Sequence, residues 1–170
     1  RMMAKKITDV YSVEIARKKL SKHFDDNIPL LEITSQLQDN LIIALAAMCD
    51  GYTITTPGNN IDADYALVRA TTKAGDLLRK HNLPITTEII NAESYTGRTT
   101  PYARYSIAQP DLERLLDDTE SVLHEISMKN ISDKQSRDVR TLDKLISNYG
   151  VTNVFNYVSE LKSSRPSGGL

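Results

Sequence analysis

Apolar residues return every three or four positions along most of this chain, and the period identifies helices. Val13, Ala16, Leu20 and Phe24 share one helical face, with Arg17, Lys18, Lys19 and Lys22 mostly off it, which predicts a first helix over 12–24. Pro29 suits the first turn of a second helix, because its missing N–H has no intrahelical partner there, and Asn27 or Asp26 can cap it. The stripe Leu30, Ile33, Leu37, Leu41, Leu45, Met48 carries that helix to about Asp50, where Gly51 stops it. Between Leu41 and Cys49 the apolar character extends all the way round, the mark of a segment enclosed by others.

Residues 51–60 mix turn formers with β-branched side chains and read as an irregular connection with a short extended piece. A third helix is expected over 61–81 with Asn60 as cap, Asp62 and Asp64 in its first turn, and Pro84 ending it. From Ile85 to Ile90 five of six residues are Ile or Thr, which favours a strand. Pro101–Ile107 alternates, Ala103, Tyr105 and Ile107 on one side, Tyr102, Arg104 and Ser106 on the other. The two stretches predict a hairpin over 85–107 with a long polar tip, 91–100, around Gly97.

Pro110 opens a fourth helix with the stripe Leu112, Leu115, Leu116, Val122, Leu123, Ile126. Ser132 and Gln135 have capping-box spacing for a fifth, ending at Gly150, and Thr152 caps a sixth with Val154, Phe155, Val158 and Leu161 inward. The expected fold class is therefore mainly α: a single domain of about six helices around a central hydrophobic helix, with one small β-hairpin. The domain spans 1–162, and 163–170 form a flexible C-terminal tail.

Two segments are tested as helix–turn–helix candidates. Between Ala74 and Ala92 a helix, a turn at Asn82–Pro84 and a second element precede the Arg104–Ile107 strand and the Pro110 helix. This order resembles winged-helix DNA-binding domains, and the strand character of 85–90 counts against it. The second, Thr141–Leu161 around Gly150, is set aside because Asn156 and Ser159 fall where the second helix needs apolar residues.

The chain has 170 residues, 40% of them apolar and 25% charged, enough to fold around a single core without metal, disulfide or partner. Its 21 Lys+Arg against 22 Asp+Glu exclude a uniformly basic coat, though not a local patch. Patches are present: residues 1–25 carry seven cations and three acids (+4), and 111–125 carry six acids and one arginine (−5). The single cysteine, Cys49, permits no internal disulfide and fits packing better than catalysis. It suits a reducing, cytoplasmic setting. The longest apolar run, 41–49, is about half the roughly 20 residues that a bilayer-spanning helix requires. Residues 1–6 are followed by a mixed polar helix pattern, so no secretory signal is read.

No phosphate-binding glycine loop is present, and His23, His81 and His124 fall on three different predicted helices. The carboxylate pairs Asp62/Asp64, Glu88/Glu93 and Asp117/Asp118 each have a structural explanation, so catalytic residues, cofactor and metal are all read as none. The most suggestive grouping is Tyr95, Arg98, Thr99, Thr100, Tyr102, Arg104 and Tyr105, where guanidiniums and hydroxyls can hold phosphate while tyrosine rings stack on bases or cover protein surface. The expectation is a non-enzymatic binding protein or regulator that contacts nucleic acid, or a complex associated with it. Lys18, Lys19 and Lys22 of the first helix are its contact residues, together with Arg98, Thr99, Tyr102 and Arg104. The alternative is a protein-interaction module, an inhibitor or assembly subunit, docking through the acidic helix 110–130 or the hairpin. A homodimer built on the helix-four stripe is less expected than core packing, and no membrane partner is expected.

Overall fold

The computed structural model describes residues 3–93 and 96–164. It falls into two compact units, Arg1–Met128 and Lys129–Leu170.

In the first unit, Ser12 caps α1 (Val13–Phe24), its hydroxyl accepting from the Ile15 amide at 3.1 Å. Asn27 caps α2 (Ile28–Gln36) in the same way at 3.2 Å. The expected single helix over 29–50 is two: α2 ends at Leu37, whose ψ of 139° is extended, and α3 (Asp39–Cys49) starts afresh. The break lets Leu37 turn inward, to 4% exposure, while α3 takes a direction of its own. All nine residues from Leu41 to Cys49 are buried, so α3 is the axis of the core. Gly51, with φ of +92°, takes the left-handed conformation in which the chain leaves it.

The mainly-α expectation is corrected here. A five-stranded mixed sheet accompanies the helices, in the order β1–β3–β2–β5–β4. Its strands are β1 (Lys5–Lys6), β2 (Ile54–Thr55), β3 (Tyr65–Ala66), β4 (Thr86–Glu93) and β5 (Thr99–Ser106). β3 pairs in parallel with both β1 and β2, and β2 pairs antiparallel with β5. Three of the strands are two residues long, too short to carry a period of their own, and they form only because distant segments meet beside α3.

The expected helix over 61–81 starts late, as α4 (Ala70–Arg79). Asp62 and Asp64 are therefore not N-terminal helix charges. The Asp64 carboxylate instead accepts from the Thr53 amide (2.9 Å) and hydroxyl (3.1 Å), locking the β2–β3 connection. Local hydrogen bonding of this kind competes with helix, as Asp side chains do.

The hairpin is present, and its strands run further than expected, through Glu93 and from Thr99, so the connection is shorter than 91–100. Ala103 and Tyr105 do lie on one face, with Tyr102, Arg104 and Ser106 on the other. Because 86–93 is strand, no helix–turn–helix forms over 74–92; what remains of the winged-helix order is α4, the hairpin and the helix after it.

That helix is also divided, into α5 (Gln109–Asp117) and α6 (Thr119–Tyr149), at the non-helical Asp118. Ser132 and Gln135 do not start a new helix: no Gly or Pro interrupts 119–149, so α6 runs through them. The stripe at Leu112, Leu115 and Val122 is buried in the first unit's core. Asn27 ties α2 to α6 through the Thr119 hydroxyl at 2.6 Å. After Gly150, α7 (Val151–Ser164) includes Ser163 and Ser164 of the expected tail; 165–170 lie outside the described residues. Among the described residues no helix is long and apolar enough to cross a membrane.

Leu45 is fully buried at the centre of α3. Leu45→Ala should lower unfolding free energy by about 2–5 kcal/mol, the cost of a methyl-lined cavity at a site with little room to collapse. Urea denaturation followed by circular dichroism checks it.

Candidate nucleic-acid interface

The sequence-predicted contact residues divide between those committed to the fold and those left free. Lys19 is committed. Its Nζ lies 2.9 Å from Asp50 Oδ2 and 5.6 Å from the centre of the Tyr11 ring. Asp50 sits at the C-terminal end of α3, where a carboxylate faces the negative end of the helix dipole and needs compensation. It receives it from three sides: the Tyr11 hydroxyl donates at 2.6 Å, His23 Nε2 lies 2.7 Å away, and Lys19 completes the set. Burial alone would raise the Asp50 carboxyl; the hydrogen bonds from Tyr11, His23 and Lys19 outweigh it and hold the group below its ordinary range. Burial, reinforced by Asp50, pushes the Tyr11 phenol well above its usual value. Tyr65 stands edge-on to both Tyr11 and Tyr52, at 5.7 and 5.2 Å between ring centres, closing an aromatic wall beside the cluster. This cluster clamps α1 to the end of α3. Histidine spacing alone could not reveal it, because its members come from 11, 19, 23 and 50.

Arg104 is committed too. Its Nη2 pairs with Glu88 Oε2 at 2.9 Å across the β4–β5 ladder, and Nη1 donates to the Asp62 carbonyl at 2.7 Å. The guanidinium thus fastens the hairpin to the loop before β3. Tyr102 stands opposite Ile90 in the ladder and is half-buried. Lys18 pairs loosely with Glu14 at 3.7 Å, both side chains in solvent. Lys22, Arg98 and Thr99 are exposed, and among the described residues Lys22 and Arg98 have no polar partner. Tyr95 lies outside the described residues. α1 packs on α3 and α2, whereas β5 packs on β2 and α4, so different parts of the core hold the two basic stretches.

Sequence reasoning missed a basic face on α4. Thr72 and Lys73, Asp76, and Arg79 and Lys80 recur at spacings of three and four after Arg69, and Ala70, Ala74 and Leu77 are buried on another side of the helix. Four cations and one acid give this face 4 − 1 = +3. Asp76 reaches Lys80 at 3.5 Å; Arg69, Lys73 and Arg79 have no acidic partner among the described residues. The spacing of these cations is visible in the sequence.

Arg69 adds a structural feature. It precedes α4 with φ of 59° and ψ of 38°, the left-handed region that costs a non-glycine residue. α4 is seated on the sheet by the Tyr105 hydroxyl, which donates to Thr71 at 2.7 Å. That bond joins the helix to the base of the hairpin. From there β5 runs about 20 Å to Thr99, at about 3.4 Å per residue.

Other candidate chemistry resolves into structure. Cys49 is 4% exposed, and burial pushes its thiol up to about 12, so the reactive thiolate is disfavoured at neutral pH. Among the described residues no three His, Cys, Asp or Glu side chains cluster as metal ligands. The acidic stretch spans α5 and the start of α6, where Arg114 pairs with Glu125 at 3.1 Å and Glu113, Asp117, Asp118 and Glu120 are exposed. Compared with protein-family models, curated proteins and solved structures, the chain matches none.

Removing the Asp50 carboxylate orphans the Tyr11 hydroxyl, so Asp50→Ala should cost about 1–3 kcal/mol or more. The pH dependence has a definite sign. Asp50 is held below its unfolded value of 3.8, so its contribution is full above that value and is lost as pH falls through the folded one. Acid denaturation curves of wild type and Asp50→Asn should therefore differ most near neutral pH and converge in strong acid.

Proposed function

We propose that this protein binds nucleic acid without catalysing a reaction on it, through the exposed face of α4 and the hairpin tip at Arg98. The observation that carries the reading is the run of cations along α4: Lys73, Arg79 and Lys80 on one side of the helix and Arg69 at the residue before it, with a threonine among them, on a chain whose overall charge is −1. Cations clustered on one helical face are the electrostatic footprint of a phosphate backbone, and threonine hydroxyls supply further phosphate hydrogen bonds. A helix of this width fits the major groove of duplex DNA, about 12 Å across. A hairpin projecting beyond it supplies a second point of contact, Arg98 and Thr99.

Two of the residues expected at the interface have a different part in this reading. Arg104 and Lys19 support the fold that presents the contact residues, because their charges are already paired. Lys22 on α1, and Lys18 through its loose, solvent-exposed pair with Glu14, can add contacts with a longer ligand. The acidic surface of α5 favours a second reading, a basic protein partner, and charge alone separates the two: one ligand is a polyanion, the other a polycation.

Fluorescence anisotropy with labelled duplex DNA, single-stranded DNA and RNA at rising salt tests the proposal. Binding should weaken with salt, and each of Lys73→Gln, Lys80→Gln and Arg98→Gln should reduce the log–log slope by about 1. Arg69→Gly is the most discriminating variant. Glycine relieves the left-handed conformation, so folding stability should stay level or rise while affinity falls. No binding at low salt overturns the proposal, and binding insensitive to all four substitutions moves the site off α4 and the hairpin tip.

A further inference from the structure

Among its described residues, from Lys129 to Ser164, the second unit has no buried side chain. It is nonetheless rich in large apolar side chains. Ten of them, from Ile131 to Leu161, are between 41 and 70% exposed. The pattern is too ordered to be scattered surface. On α6, Leu142, Leu145 and Tyr149 follow at spacings of three and four, and on α7 so do Val151, Val154, Val158 and Leu161. Val139 and Ile146 widen the first stripe and Phe155 the second, giving each helix the broad apolar face of a bundle member.

The helices are joined by one residue, Gly150, whose φ of +85° ends α6 while its carbonyl accepts from the Val154 amide at 3.2 Å. Between them opens a groove of about 430 Å³ whose solvent-facing wall is apolar. Leu142, Leu145 and Tyr149 line one side, and Val154, Tyr157 and Val158 the other. Asn153, the polar residue at its corner, spends its amide on the Tyr149 carbonyl at 2.8 Å. A two-helix segment with nothing enclosed lacks the packing that stabilises helices in water.

We infer that a second copy of this chain covers these faces, the α6–α7 segments of two chains interleaving into a four-helix bundle. Two observations select a second copy over another occupant. The first is area. Ten side chains at those exposures leave apolar surface on the order of 1,000 Å² per chain, given the 150–250 Å² of a large aromatic. That exceeds the roughly 300–600 Å² of a monomer's largest patch and meets the about 800 Å² per partner of a stable interface. The second is charge. Residues 129–164 carry six cations and four acids, interspersed, for 6 − 4 = +2. A face paired with itself meets its own charge, and here that charge is small and mixed, with both signs available for cross-pairing. A strongly acidic or basic peptide would find no matching field. The dimer seam thus lies on 131–161, not on the Leu112–Ile126 stripe, which packs with the core of the first unit.

Sedimentation equilibrium of the full chain, without nucleic acid, tests the inference over a range of concentrations. The wild type should run at twice the chain mass of 19.0 kDa. Phe155→Lys and Tyr157→Lys replace side chains 70 and 62% exposed in the single chain and outside the first unit, so they leave the folding of the first unit intact. The double variant should associate at least tenfold more weakly, with an unchanged melting transition for the first unit. Lys134→Gln, outside both stripes, should remain dimeric. A wild-type chain that is monomeric at the highest concentration reached overturns the inference, and so does a dimer untouched by the double variant. The readout is mass, so failure here is separable from failure to bind nucleic acid.

Discussion

The first unit depends on one constraint, the enclosure of α3. Nine consecutive buried residues cannot be satisfied by a single neighbouring face, so the helix has to be covered on every side. α1 and α4 pack against it directly, and the turn Ile7–Asp9 adds to the cover. The sheet supplies Ile54, Tyr65 and Tyr105 to the same core. Much of the local detail follows: the break at Leu37 that frees α3 to take its own direction, the left-handed Gly51 at its exit, and the two-residue strands that exist only as parts of a wall around it.

The polar groups of this unit serve two ends, and the chemistry of each group tells them apart. Asp50 and Arg104 both sit where a charge is expensive to leave alone, one at the negative end of a helix and one with its Nε buried, and both are held by partners from distant parts of the chain. Their partners, Lys19 and Glu88, are thereby withdrawn from any ligand. The cations of α4 are the converse. Arg69, Arg79 and Lys80 are exposed and Lys73 is half-buried, three of the four lack an acidic partner among the described residues, and the chain accepts a left-handed arginine where the helix begins. A positive surface kept unpaired, in a chain with as many acids as bases, is what a polyanion ligand requires.

Elements with a long enough period were legible in the sequence. α1, a cap at Asn27 or Asp26, the enclosed run 41–49, the hairpin and the facing of its second strand all follow from spacing and residue type. Breaks within apolar stripes were not legible, because Leu37 and Asp118 fall in a pattern that continues smoothly on either side of them; only the direction each helix takes against the core decides the division. The mixed sheet was hidden for the opposite reason: β1, β2 and β3 are set by pairing between residues up to sixty positions apart and have no local signature. The candidate site was legible as residue types and not as pairings. Arg98 and Lys22 carry charges with no polar partner among the described residues, whereas Lys19 and Arg104 are ion-paired; which cations are paired is a question about neighbours in space, so spacing alone did not separate them, and the α4 cations were passed over.

Lysine acetylation, mapped by mass spectrometry with and without saturating duplex DNA at low salt, tests the central claim in one measurement. Lys73 and Lys80 on α4 should be protected by the duplex, while Lys129 and Lys162 in the second unit continue to react at their free rates. Equal labelling of Lys73 and Lys80 in the two samples, with the duplex demonstrably bound, would contradict the placement of nucleic acid on that helix.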